Sequence, residues 1–126
     1  MHELGIADNI VTAVLKEMND RKLKSVSAIA LRIGAMTDIV TDALEFGFEI
    51  LIRETPLEGA RLKIERVPVK GHCRGCGTDF EVEEFIFVCP KCSSGDIVVT
   101  QGTELDIAYL EVEDYALPDR PAKSAN

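Results

Sequence analysis

Cys73-Arg74-Gly75-Cys76-Gly77, then Cys89-Pro90-Lys91-Cys92-Ser93, form two matched pairs with twelve residues between Cys76 and Cys89. Two residues between cysteines let one tight turn aim both sulfurs at a single ion, and the adjoining Gly77, Pro90 and Ser93 supply turn geometry. Four soft thiolates in a tetrahedron select zinc or iron. Their closed set leaves no open coordination position, which marks a structural site rather than a catalytic one. The spacer is slightly shorter than the usual two-pair template but within zinc-ribbon range. Phe80–Val88 is long enough for two short antiparallel strands, which we expect to bring the turns face to face. A thioredoxin-like redox site would need one such pair in a β-α-β setting, and a second pair argues against it. A rubredoxin-like iron centre has similar turns, set further apart and packed on several aromatics. His72, beside Cys73, reads as a spare ligand, as a hydrogen-bond donor to the site or, the favoured reading, as a solvent-facing turn residue.

The rest of the chain is arranged around this module. A lobe of about thirty-five residues with a few Phe does not fold alone, and a metal is its natural staple. Upstream, Leu4, Ala7, Ile10, Val11, Val14, Leu15 and Met18 recur at helical spacing, predicting a helix over 4–19. Ser25–Ile33 reads as a strand with Ile29, Leu31 and Ile33 facing one way. Thr41 is a plausible N-cap for a second helix carrying Leu44, Phe48 and Leu51, stopped by Thr55-Pro56. Ala60, Leu62 and Ile64 alternate with Arg61, Lys63 and Glu65 as a half-exposed strand. This α-β-α-β order admits a right-handed parallel crossover in its middle. Composition changes at Lys70-Gly71. Beyond the cysteines, Glu104–Glu113 is again a strand with no helix of its own, so it should return to the first lobe's sheet. The expected fold class is therefore α+β: a small mixed-sheet α/β lobe with two helices, plus an inserted zinc-ribbon-like module. Residues 1–69 form the lobe, completed by the returning strand 104–113. Residues 70–103 form the metal-binding module, and 114–126, with Pro118 and Pro121, a flexible tail.

Charge narrows the functional classes. The chain has 126 residues and a net charge of −8. The segment 68–104 holds three basic and six acidic side chains, and a zinc bound by four thiolates adds two more negative charges. No segment is the basic footprint a phosphate backbone needs, so nucleic acid is not an expected partner. The opening MHELGIADNIVTAVLKEMND lacks a basic n-region and a small-residue cleavage site, so we expect no signal peptide. No apolar run is long enough to span a bilayer. Reduced thiols then point to a cytoplasmic protein. No catalytic triad, phosphate loop or carboxylate dyad appears, and an enzyme is not expected.

One feature lies outside the cysteine module. The amine of Met1, the amide nitrogen of His2 and the His2 imidazole together form two fused chelate rings, and Glu3 adds a carboxylate. Such a set suits Ni(II) or Cu(II). Met1-His2-Glu3-Leu4 opening an amphipathic helix resembles the start of the HypA/HybF nickel metallochaperones. So do Arg32-Ile33-Gly34, Leu44-Glu45-Phe46-Gly47-Phe48-Glu49, Glu58-Gly59-Ala60, both cysteine pairs and Gly102-Thr103-Glu104-Leu105. The resemblance runs from residue 1 to about 113. It implies a two-lobe protein that helps insert nickel into [NiFe]-hydrogenase during maturation. By that resemblance Met1, His2 and Glu3 bind transferable nickel, and Cys73, Cys76, Cys89 and Cys92 bind structural zinc. The implied partners are a HypB-type GTPase, the [NiFe]-hydrogenase large-subunit precursor and, for some members, urease maturation proteins. The alternative is a zinc-ribbon adaptor or transcription-associated protein without transferable metal.

Overall fold

A computed structural model describes residues 2–112. Met1 and the segment assigned to a flexible tail, 114–126, lie outside the described residues. The elements in chain order are α1 (Glu3–Arg21), β1 (Val26–Gly34), α2 (Thr41–Leu51), β2 (Arg61–Val67), β3 (Lys70–Cys73), β4 (Asp79–Glu81), β5 (Ile97–Gln101) and β6 (Leu105–Val112). By contacts the described residues fall into two compact units. One comprises 2–31, 39–63 and 107–112; the other comprises Arg32–Asp38 and Ile64–Asp106.

The apolar stripe of α1 buries Ala7, Ile10, Val11, Val14 and Met18. Leu4 departs from the expected stripe, being 58% exposed. It lies over Gly47 of α2, where an added Cβ would stand 3.1 Å from the Leu4 Cδ1. The helix stops at Lys22, which adopts a left-handed conformation. Leu23 N–H then returns to the Met18 carbonyl at 2.9 Å, satisfying an end carbonyl as a Schellman-type cap does.

The second helix starts differently from the sequence reading. Thr41 is its first helical residue, and the capping position falls to Val40, which has no side-chain acceptor. The missing anion comes instead from α1. The Glu3 carboxylate accepts the Val40 N–H at 2.9 Å, placing negative charge at the start of α2, where the helix dipole favours it.

One three-stranded sheet has the order β2-β1-β6. Ala35 N–H donates to the Val67 carbonyl at 2.8 Å. Strands β1 and β2 therefore finish side by side, as parallel neighbours joined through α2. Ser27 Oγ donates to the Glu111 carbonyl, Arg32 pairs with Asp106, and Gly34 N–H donates to the Glu104 carbonyl. That falling register makes β6 antiparallel to β1, so the strand after the cysteine module does return to the first sheet. As central strand, β1 buries Ala28 and Ala30 as well as Ile29, Leu31 and Ile33. The alternation expected from sequence is thus a matter of side-chain size, not of exposure. Strand β2 begins at Arg61, because Ala60 N–H closes a turn onto Leu57.

A second sheet, β4-β3-β5, carries the cysteines. Both neighbours run antiparallel to β3, with His72 opposite Asp79 on one side and Cys73 opposite Ile97 on the other. The two strands expected within Phe80–Val88 are not both there. Only Asp79–Glu81 is a strand, and the chain from Val82 to Val88 turns, with left-handed φ at Glu84 and Phe85. The partner of β3 comes instead from beyond the second cysteine pair. In this unit Gly34 and Gly102 meet backbone to backbone: a Cβ on Gly34 would lie 2.0 Å from the Gly102 carbonyl oxygen. Gly102 itself has φ +117, a conformation reserved for glycine.

Candidate metal centre

The two cysteine pairs are built on one backbone plan. Cys73 N–H donates to the Thr78 carbonyl and its own carbonyl accepts Gly77 N–H, at 2.9 and 2.8 Å. Cys89 N–H donates to the Ser94 carbonyl and its carbonyl accepts Ser93 N–H, both at 2.9 Å. The residue after each pair turns left-handed, Gly77 at φ +81 and Ser93 at φ +67. In the second turn the N–H groups of Lys91 and Cys92 both point at the Cys89 sulfur, each at 3.4 Å. In the first, the N–H groups of Cys76 and Gly75 hold the Cys73 thiol below its ordinary pKa. Amides aimed at sulfur stabilise thiolate, the form that ligates.

All four Sγ atoms lie within 4.8 Å of one another. Cys73 approaches Cys92 at 3.5 Å and Cys76 approaches Cys89 at 3.6 Å. A tetrahedron with ~2.3 Å metal–sulfur bonds has edges of about 3.8 Å, so the cage already matches a zinc-sized ion. Cys73 and Cys89 are buried while Cys76 and Cys92 are exposed. Crowding drives their acidities apart. Thr78, through its hydroxyl and N–H, pulls Cys76 down to about 6. Cys92 accepts from the Ser94 amide, yet the Cys73 and Cys76 thiols beside it push it up to about 12. Four negative sulfurs cannot share this space without a cation. The donor set therefore fits a divalent ion held by all four cysteines.

The neighbours of the cage were not legible in the sequence. The Arg74 guanidinium donates to one Asp96 carboxylate oxygen through Nε and Nη2, at 3.0 and 2.8 Å, and Arg74 N–H donates to the Asp96 carbonyl. That strap ties the first turn to the chain leaving the second, across 22 positions. His72 is not a free turn residue. It sits half-buried in β3 with Nδ1 2.7 Å from the Asp79 carboxylate of β4, because the β3–β4 register sets the two opposite each other.

At the other candidate site, His2 caps α1 in an extended conformation, with φ −91 and ψ 96. It is exposed and makes no side-chain cap to the helix. Glu3 is committed to Val40, and that amide is the main reason its carboxyl is held below the ordinary range. His2 and Glu3 are thus adjacent but do different things. Sequence spacing gave no hint of the Val40 contact, which is 37 positions away.

Residues 1–112 match the family described as "Hydrogenase/urease nickel incorporation, metallochaperone, hypA". The chain belongs to the HypA family. Among curated relatives, a Hydrogenase maturation factor HypA from Geobacter metallireducens is 43% identical over 113 residues, covering 90% of this chain and all of that one. A HypA of the same description from Trichodesmium erythraeum is 40% identical over 117 residues, covering 93% and 100%. The fold agrees with the solution structure of the nickel metallochaperone HypA from Helicobacter pylori. That likeness has a TM-score of 0.63 at 23% identity over 89% of this chain and 97% of the other. Among the described residues no helix is long and apolar enough to cross a membrane.

Proposed function

We propose that this HypA-family protein carries Ni(II) at its amino terminus and hands it to a [NiFe]-hydrogenase during maturation, with zinc held structurally by Cys73, Cys76, Cys89 and Cys92. The observation that carries the reading is the contrast in ligand supply. A closed four-sulfur cage has no position for exchange, whereas an exposed His2 at the chain start can meet an acceptor's ligands directly. The nickel ligands would be the Met1 amine, the His2 amide nitrogen and the His2 imidazole. Glu3 would contribute less, because its carboxylate is already engaged with Val40.

Copper outcompetes nickel at such a set on affinity alone, so selectivity must come from metal supply and from docking. The fitting partners are a HypB-type GTPase and the hydrogenase large-subunit precursor, and urease maturation proteins where urease is made. The fitting compartment is the cytoplasm, where four thiols stay reduced. The domain plan proposed with it puts the terminal site on a helical lobe 1–69 with 104–113, and the zinc within 70–103.

The test is nickel titration by calorimetry of the zinc-loaded protein with an untagged amino terminus. One nickel per chain beyond the zinc is expected. No nickel beyond the zinc would leave the adaptor reading in its place.

A further inference from the structure

The segment after β4 is the least economical part of the cysteine-bearing unit. Glu84 and Phe85 are consecutive non-glycine residues in the left-handed region, at φ 54 and 59. Ile86 N–H closes the turn onto the Glu83 carbonyl at 3.0 Å. The outcome of this unfavourable backbone is that Phe85 and Ile86 stand 59% and 58% exposed, with Val88 at 45%. Strain of this kind persists where function maintains it, and three exposed large apolar side chains within four residues of a small module mark an interaction surface. Beside it runs a groove of about 370 Å³, lined by Pro68, Val69, Val82 and Phe85 and edged by Glu81 and Glu83.

Charge says what the surface takes. Glu81, Glu83 and Glu84 alternate with or adjoin the apolar side chains, and none of the three forms an ion pair among the described residues. A complementary partner segment presents an aromatic or aliphatic side chain flanked by Lys or Arg. A terminal metal site with few ligands has no means of recognising its acceptor, so recognition must be lodged elsewhere on the molecule. We infer that residues 83–88 form a docking ridge for the nickel-accepting protein, gripping a basic, apolar segment of it. The inference rests on the proposed function above and adds the surface by which the acceptor is chosen.

The test uses the full-length, zinc-loaded protein and purified hydrogenase large-subunit precursor, with binding followed by biolayer interferometry. Two variants are compared. In Phe85→Asn/Ile86→Ser the apolar tip is removed, and Asn is at ease in the left-handed conformation, so folding is spared. In Glu83→Lys/Glu84→Lys only the charge is reversed. The first should weaken the precursor complex by at least about tenfold, chiefly through faster dissociation. The second should slow association and remove its dependence on ionic strength. Zinc content and nickel titration should match the parent in both. Unchanged precursor affinity in both variants, with nickel binding intact, overturns the docking ridge and leaves the nickel reading standing. Loss of binding to the GTPase alone, with the precursor complex unaffected, overturns it equally. A parent protein that takes up no nickel overturns the proposed function instead, whatever the precursor does.

Discussion

The two candidate metal sites of this chain are built on opposite principles. At the four cysteines, the backbone has committed everything in advance. Paired turns fix each Cys89- or Cys73-type sulfur with amides, and an arginine strap and two strands close the cage around a space the size of one ion. At the amino terminus, one exposed imidazole sits at a helix start, and the nearest carboxylate is occupied by the next helix. Under the proposed function, pre-organisation would make the first site tight and slow to release, and its lack would leave the second exchangeable, as a delivered ion requires. On that reading, the degree to which the backbone fixes the ligands beforehand, rather than their number alone, separates a resident ion from a cargo ion.

The largest expected effect breaks the first site. Cys89 is 1% exposed and receives two amides, so Cys89→Ser removes a ligand and leaves those donors facing a weaker acceptor. Zinc-binding free energies in comparable small sites are on the order of 10 kcal/mol or more, larger than any core this module can assemble. Residues 72–102 should unfold while the helical signal of α1 and α2 largely survives. Metal removal with a strong chelator should do the same. Amide spectra with zinc analysis provide the check; a module that keeps its dispersed amides without metal would mean the cage is not what folds it.

Breaking the second site should be silent for the fold. One residue added before Met1 turns its amine into an amide and shifts the chelate. That change and His2→Ala should each abolish nickel uptake by calorimetry, with zinc content and melting temperature unchanged. Nickel affinity equal to the parent in both forms would remove the terminal site from consideration.

Residue types and spacings told much of this in advance. The cysteine pairs and most of the α1 stripe are local patterns that the structure keeps, Leu4 excepted. Strand β6 returns to the first sheet, but its Leu105, Ile107 and Tyr109 are exposed, so its alternation is not one of burial. What remained hidden depends on register between distant segments. Val40 borrows its cap from Glu3 because two helix starts meet, and His72 meets Asp79 because β3 and β4 pair at one register. The missing second strand in Phe80–Val88 shows the limit of propensity. Phe, Ile and Val favour strands, but the left-handed backbone at Glu84 and Phe85 breaks the extended run, and the second neighbour of β3 is β5, from beyond the second cysteine pair.

A smaller effect sharpens the likeness of the two turns. Gly77 and Ser93 occupy equivalent left-handed positions, but only one is glycine. A Cβ on Gly77 would meet nothing within 4 Å, so Gly77→Ala tests backbone conformation without steric interference. It should weaken the zinc-loaded module by about 1 kcal/mol, and Ser93→Gly should strengthen it by a similar or smaller amount. Competition with a chromophoric chelator measures both. Opposite signs are the expected result; two losses would mean that the Ser93 side chain, not its backbone, sets the second turn.

The smallest effect concerns the hinge between the two descriptions of Glu3, as nickel ligand or as cap. Its carboxyl is held below the ordinary range chiefly by the Val40 N–H. A lowered folded-state pKa means the contact is fully present above the ordinary carboxylate value and is lost as pH falls through the lowered one. Because the group is at the surface, solvent screens it, and the expected signature is local rather than a shift in melting. The Val40 amide resonance should titrate only as pH falls below the unperturbed Glu value of about 4.3. In Glu3→Gln an oxygen still accepts from Val40 but carries no charge, so that titration should disappear while the amide stays protected from exchange. Glu3→Ala should lose both. The same resonance then decides the ligand question at neutral pH. If nickel leaves the Val40 amide in place, Glu3 remains the cap of α2 and the metal is held by the terminal amine and His2. If nickel shifts that amide to its position in Glu3→Ala, the carboxylate has left the helix for the ion, and loading the cargo loosens the junction of α1 with α2.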